Sequence, residues 1–194
     1  MPKLSVVIPT YTLDKELEDM ALSAIQSYRY GVDELIVCED GGHYSPEIMA
    51  KCDTYIYNWK NEGFTKNVNR GWRFATGDYV VIASSDTYLI KGSIRDLMVK
   101  GKVTSPVVVN QNIPFLAGPL FCTPKGVTKK LGYLKEEMRT YCSDSEYDER
   151  TRDIFQKVPS VEIYHHMAQS VKKAGVEGGK EMENDRREYA KLIS

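Results

Sequence analysis

Apolar runs long enough to cross a bilayer are missing from this 194-residue sequence, because no stretch approaches the roughly 20 residues that a membrane helix needs. The apolar-leaning stretch from Leu4 to Ile8, before Pro9, is also too short for the core of a secretory signal. The chain is therefore expected to be cytoplasmic, with no membrane span. An excess of one charge is missing too. Lys plus Arg total 26 against 27 for Asp plus Glu, a net charge of -1, which leaves no global field to gather nucleic acid or an anionic membrane. A nucleic-acid partner is not expected on that basis. Cysteine is sparse, and the four residues at 38, 52, 122 and 142 have neither metal-pair spacing nor the density of a disulfide scaffold. They read as reduced thiols in a reducing compartment. What remains is a 42% apolar composition, ordinary for a globular chain with one sizeable core.

Leu4 to Ile8 is a short β-branched run closed by Pro9, and it reads as a strand buried on both faces. From Asp14 onward, Leu17, Met20, Ala21, Ala24, Ile25 and Tyr28 recur at helical spacing, with acidic residues early, where the helix dipole favours them. Gly31 ends this helix, and Glu34 to Cys38 forms a second buried run leading into Asp40-Gly41-Gly42. Thr54 to Trp59 reads as a third strand, Phe64 to Ala75 as a helix, and Tyr79 to Ala83 as the most strand-like run of all. Such alternation implies a doubly wound sheet with ligands beyond the carboxyl ends of its strands. Later segments are less regular: a helix near Ser93 to Lys100, strand-like runs at Val103 to Val109 and Phe115 to Cys122, a helix from about Ser143 to Lys157, and a strand at Val161 to Tyr164. Residues 171–194 read as a glycine-containing linker and a solvated terminal helix, after one domain covering 1–170.

Several constellations could carry chemistry. Glu39-Asp40-Gly41-Gly42 is either a plain turn or a carboxylate at a strand end that accepts hydrogen bonds from a nucleoside. In the segment from Asn61 to Gly71, Asn69 and Arg70 are the residues expected to face a phosphate at a loop-to-helix junction. Asp86, flanked by the small Ser84 and Ser85, either caps a turn or holds a cation bridging to a diphosphate. Asp144 and Glu146 lie two residues apart near a helix start, so one can cap while the other serves as a general base. His165-His166 is either structural or a ligand for metal or phosphate.

In this order, the segments resemble family 2 glycosyltransferases of GT-A fold from about residue 3 to 170. The resemblance is carried by Leu4 to Tyr11, Glu39 to Gly42, Asn61 to Gly71, Ala75 to Tyr79, Gly132-Tyr133-Leu134 with Ser143-Asp144, and Tyr164-His165-His166. It implies an α/β, Rossmann-like, mostly parallel central sheet flanked by helices. Residues 1–90 would bind the nucleotide sugar, and the less regular 91–170 would form the acceptor half. By resemblance, Asp40 contacts the base, with Glu39 as the alternative, and Pro9, Thr10 and Tyr11 line the same pocket. The family's Asp-x-Asp metal motif corresponds to Ser84-Ser85-Asp86, so the first carboxylate is replaced by a hydroxyl. Asp86 and His165 would then hold Mn²⁺ or Mg²⁺, and Asp144 would be the catalytic base. The implied activity is inverting transfer from a UDP-, dTDP- or GDP-sugar to a hydroxyl acceptor. The alternatives are a non-catalytic nucleotide-sugar-binding module and a sugar nucleotidyltransferase, although the latter would want a lysine-containing glycine-rich loop, which Pro9 to Leu13 does not provide.

Overall fold

Strand β1 (Leu4–Thr10) is buried along its whole length because it has a parallel neighbour on each side, β2 (Glu34–Asp40) and β4 (Tyr79–Ala83). Its alternate side chains serve two cores. Leu4, Val6 and Ile8 pack with Ala21, Ala24, Ile25 and Tyr28 of helix α1 (Lys15–Arg29), while Val7 packs on the other face with Val68 and Trp72 of helix α3 (Phe64–Phe74). The short helix α2 (Pro46–Met49) and strand β3 (Thr54–Asn58) lie between β2 and α3. Close approach of α3 to the sheet requires Gly71, since a β-carbon there would lie 2.5 Å from Val7 Cγ1 and 2.6 Å from Cys38 Sγ. The computed structural model describes residues 1–167, 172–173 and 178–193.

The sheet has eight strands in the order β3-β2-β1-β4-β7-β6-β8-β5, completed by β5 (Thr87–Lys91), β6 (Val103–Val108), β7 (Leu120–Pro124) and β8 (Phe155–His165). The first four in that order are parallel; β7 runs antiparallel to both β4 and β6, β6 pairs with β8 in parallel, and β5 returns antiparallel to β8. The expected Rossmann-like half and less regular second half are thus both present. Where β6 meets β8, the register slips after Pro106, which has no N–H to give to a ladder.

Several boundaries differ from the sequence reading. Only a short 3₁₀ turn, Ile94–Leu97, occupies the stretch expected as a helix from Ser93 to Lys100. The run from Phe115 is a loop until β7 begins at Leu120, and the helix α4 (Lys125–Leu131) that follows was not anticipated. Helix α5 (Ser143–Thr151) is shorter than expected, because a 3₁₀ turn at Arg152–Ile154 leads directly into β8. Of the linker and terminal helix expected over 171–194, residues 171, 174–177 and 194 lie outside the described residues. The terminal helix α6 (Gly178–Ile193) starts at the glycines and is not merely solvated: Asp185 is 2% exposed and faces the segment before α5. Among the described residues, no helix is long and apolar enough to cross a membrane.

Candidate active site

The carboxyl ends of β1, β2 and β4 open into one cavity of about 530 Å³. Pro9, Thr10 and Tyr11 reach it from β1, Asp40 from β2, and Ser84, Ser85 and Asp86 from the turn after β4. Asp144 and His165 enter from the second half. Nine of the twelve positions expected to carry chemistry therefore meet in one space, and the other three, Glu39, Asn69 and Arg70, do not line it.

Glu39 is fully buried, and its carboxylate is saturated. It accepts from Thr10 Oγ1 (2.8 Å), Thr12 N (3.0 Å), Thr12 Oγ1 (2.6 Å) and Gly42 N (2.9 Å). With the roughly four acceptor positions of a carboxylate filled, Glu39 is a brace that ties the β1 loop to the glycine turn, not an alternative base contact. The turn itself needs glycine at Gly42, where a β-carbon would sit 2.5 Å from Glu39 Oε1 and 2.4 Å from Thr12 O.

Asp40 accepts from Asn58 Nδ2 (3.1 Å), Glu62 N (3.1 Å to each oxygen) and Gly63 N (2.8 Å). Three donors leave about one acceptor position facing the cavity. The carboxylate thus has a second job beyond any ligand, holding the loop at 61–63 that carries the cavity residues Asn61 and Gly63. Asp40→Ala is accordingly expected to destabilise the protein by on the order of 2 kcal/mol, the usual worth of hydrogen bonds to a charged group. The fold would not stay unaffected. Denaturant unfolding checks this, and an unchanged midpoint would show that the loop is held without Asp40.

On α3, the cavity-facing asparagine is Asn67 instead of Asn69. Two helical positions differ by about 200°, so the two side chains cannot face the same space. Asn67 Nδ2 donates to Cys38 O at 2.7 Å, whereas Asn69 points away and exchanges hydrogen bonds with Leu134 N (3.1 Å), Leu134 O (2.8 Å) and Glu136 Oε1 (2.9 Å). Arg70 is paired with Glu62 and reaches Asn67 Oδ1 at 3.3 Å, so it stands behind the cavity wall.

At the turn after β4, His165 Nε2 lies 3.4 Å from Asp86 Oδ1, and its Nδ1 lies 3.1 Å from Gln111 Nε2. The neighbouring His166 lines a separate pocket of about 440 Å³ on the α1 side of Asp86. Among the described residues, no three or more His, Cys, Asp or Glu side chains converge into a cation cage. The Asp86 and His165 donor atoms are close enough for one cation to touch both, and both side chains border the adjacent cavity.

Asp144 sits in the first turn of α5, but it is not the cap. The N-cap position is Cys142, in the left-handed region at φ 65°, and no side-chain cap bond is made there. The Asp144 carboxylate instead lies over Gly118, where a β-carbon would fall 2.0 Å from Oδ2. Asp148, one turn further along, accepts from Leu116 N at 3.0 Å and so holds the 116–118 loop against it. Burial pushes the Asp144 carboxyl above the ordinary carboxylate range, opposed in part by the backbone N–H groups of Ser145 and Asp144. The cavity also takes Phe64, Pro119 and the run Arg139-Thr140-Tyr141-Cys142, together with Glu181 from α6. None of these is singled out by the sequence: Phe64 opens α3 within a segment marked for its polar residues, and the others come from loops and a distant helix without a spacing that marks them.

Parallel strands that end on a carboxylate-lined cavity, continued by a second half of mixed parallel and antiparallel pairing, match the GT-A fold. Residues 5–118 match the description "Glycosyl transferase family 2", and the chain belongs to that family. It is 31% identical over 108 residues to the GalNAc(5)-diNAcBac-PP-undecaprenol beta-1,3-glucosyltransferase of Campylobacter jejuni, an alignment covering 52% of this chain and 35% of that enzyme. Solved structures that share its fold include the following two. The mannosyltransferase PcManGT from Pyrobaculum calidifontis, in complex with GDP-Man and Mn²⁺, has a TM-score of 0.69 at 18% identity, over 87% of this chain and 58% of that one. Residues 1–349 of S. aureus TarS, in complex with UDP-GlcNAc, have a TM-score of 0.65 at 16% identity, over 98% of this chain and 66% of that one. The chain spans about a third of the length of the glucosyltransferase and less than two thirds of the mannosyltransferase.

Proposed function

We propose that this protein transfers a sugar, with inversion, from a UDP-, dTDP- or GDP-sugar to a hydroxyl acceptor. The observation that carries the reading is the single cavity joining Asp40, Asp86, His165 and Asp144 at the carboxyl ends of the strands. Family membership supports it, as do structures of the same fold solved with GDP-Man and UDP-GlcNAc. Residues 1–90 supply the base-facing groups Thr10, Tyr11 and Asp40. Residues 91–170 supply Asp144 and His165, and α6 belongs with this acceptor half because Glu181 shares the cavity.

In this mechanism Asp144 takes the proton from the acceptor hydroxyl as its oxygen attacks the anomeric carbon, and the bond to the nucleoside diphosphate breaks on the opposite face. Its raised affinity for protons suits that task, provided that the pH keeps it ionised. Asp86 and His165 are the residues that would hold Mn²⁺ or Mg²⁺. Such a cation, when bound, supplies positive charge against the negative charge that grows on the departing diphosphate. Gln111 can turn either amide atom toward His165 Nδ1, so it can orient the ring with Nε2 facing the cation. Ser84 and Ser85 leave room beside Asp86 for the phosphates.

A thermal-shift series with UDP, dTDP, GDP and their sugars, with and without Mn²⁺, tests the reading. A ligand at about 100 times its dissociation constant stabilises the native state by roughly 2.7 kcal/mol, so one nucleotide class is expected to raise the melting temperature by several degrees. Product analysis should then show transfer or slow donor hydrolysis. No shift with any of them would overturn the proposal, while binding without turnover would describe a nucleotide-sugar-binding module instead.

A further inference from the structure

Three consecutive backbone N–H groups, those of Arg139, Thr140 and Tyr141, converge on one carboxylate, Asp185 of α6, at 2.9, 2.8 and 2.8 Å. Asp185 is 2% exposed. An irregular segment has no ladder to satisfy such donors, so this carboxylate does for the loop what strand pairing does for a sheet. The loop so held is a wall of the cavity, and it leads through Cys142 straight into the turn that carries Asp144. It also fastens the donor side. Arg139 O accepts from Thr65 N at 3.0 Å at the start of α3, and Arg139 Nη2 donates to Asn61 Oδ1 at 2.7 Å. One turn before Asp185, Glu181 lines the same cavity. Its Oε1 accepts from Thr140 Oγ1 at 2.7 Å and lies 3.4 Å from Arg139 Nε, while its Oε2 has no hydrogen-bond partner among the described residues.

We propose that α6 is a working part of the active site: Asp185 is a positioning residue that fixes the 139–141 loop, and Glu181 presents a carboxylate oxygen to a sugar hydroxyl. This rests on the glycosyl-transfer reading of the cavity. The hydroxyl could belong to the donor sugar or to a sugar acceptor, since either would hydrogen-bond a carboxylate in the same way. Neither residue lies within the part of the chain that matches the family, residues 5–118.

The clasp is tested first without any ligand, by hydrogen exchange on the full chain. In Asp185→Ala, the amides of 139–141 should exchange at least tenfold faster than in wild type, with β1 unchanged; Asp185→Asn, which keeps one acceptor oxygen, serves if the alanine variant does not fold. Equal exchange of these amides in variant and wild type would overturn the clasp even if the protein proves to be no transferase. The second arm uses UDP with UDP-GlcNAc and GDP with GDP-mannose, taking the pair that binds wild type. Asp185→Asn should lower turnover at least tenfold while the affinity for the nucleoside diphosphate stays within twofold, a split that general loosening of the fold would not give. Glu181→Gln should weaken binding of the nucleotide sugar but not of the diphosphate if the hydroxyl is the donor's, or raise KM for the acceptor if it is the acceptor's. An unchanged affinity and KM would remove Glu181 from the site.

Discussion

Asp144→Asn is expected to lower glycosyl transfer by about 10²- to 10⁴-fold, the range over which a positioned general base acts, with donor affinity near that of wild type. The amide fills the same space over Gly118 but cannot take a proton at neutral pH. Stability gives an independent reading of the same substitution. A capping aspartate would be replaced by asparagine with little change, yet Asp144 makes no cap bond and instead has a carboxyl whose affinity for protons is raised by burial. A group that holds its proton more tightly in the native state than in the unfolded chain destabilises the native state as the pH rises from the ordinary carboxylate range through the raised value. At neutral pH the variant should therefore melt at the same temperature as wild type or above it. That advantage should vanish as the pH falls below the ordinary carboxylate range, where both forms are neutral. The wild-type rate should fall on acidification through a value above that range, as the base protonates. A variant that keeps more than about a tenth of the wild-type rate would contradict the base role.

The parts of the fold that were legible in the sequence are those where burial on two faces leaves no alternative to a continuous apolar run. β1, β2 and β4 are central parallel strands, and each shows as such a run ending at a turn or a small polar segment. The carboxylates at their ends were legible for the same reason, since a strand's end fixes where the next side chain goes. Legibility failed where position depends on a partner far away in the chain. Thr87–Lys91 is a strand because β8, more than sixty residues later, pairs with it. In the sequence, Asn69 and Arg70 read as facing a ligand because they are polar near a helix start. The helix turns Asn67 to the cavity instead and leaves Asn69 to bind residues 134–136, and nothing within the helix says which asparagine meets which neighbour. The terminal helix is the sharpest case. Its charges nearly balance and Asp185 sits among other polar residues, so it reads as solvated until the three N–H groups of a loop some forty-five residues earlier are seen to need it.

Asp86→Ala is expected to abolish any strengthening of diphosphate binding by Mn²⁺ and to lower transfer by at least about 10²-fold, because the charge that a cation sets against the leaving group is worth several kcal/mol. His165 and Asp86 face each other at 3.4 Å, and no third His, Cys, Asp or Glu among the described residues joins them in a cation cage. A hard cation held by one carboxylate and one imidazole depends on phosphate oxygens for the rest of its shell. Metal and diphosphate should therefore bind cooperatively, each weakly without the other. Removal of the carboxylate leaves an imidazole alone, which cannot hold Mg²⁺ or Mn²⁺ at ordinary concentrations. Ser84→Asp tests the same point from the other side. It places a second carboxylate two residues before Asp86, where the family's metal motif has one, and should leave the metal effect intact or enlarge it. Titration of UDP or GDP in Mn²⁺ and in chelator measures both variants. If wild type binds equally in the two, Asp86 holds no cation and the two-ligand site is wrong; if only Asp86→Ala binds equally in the two, the carboxylate is the anchor on which diphosphate and metal are assembled.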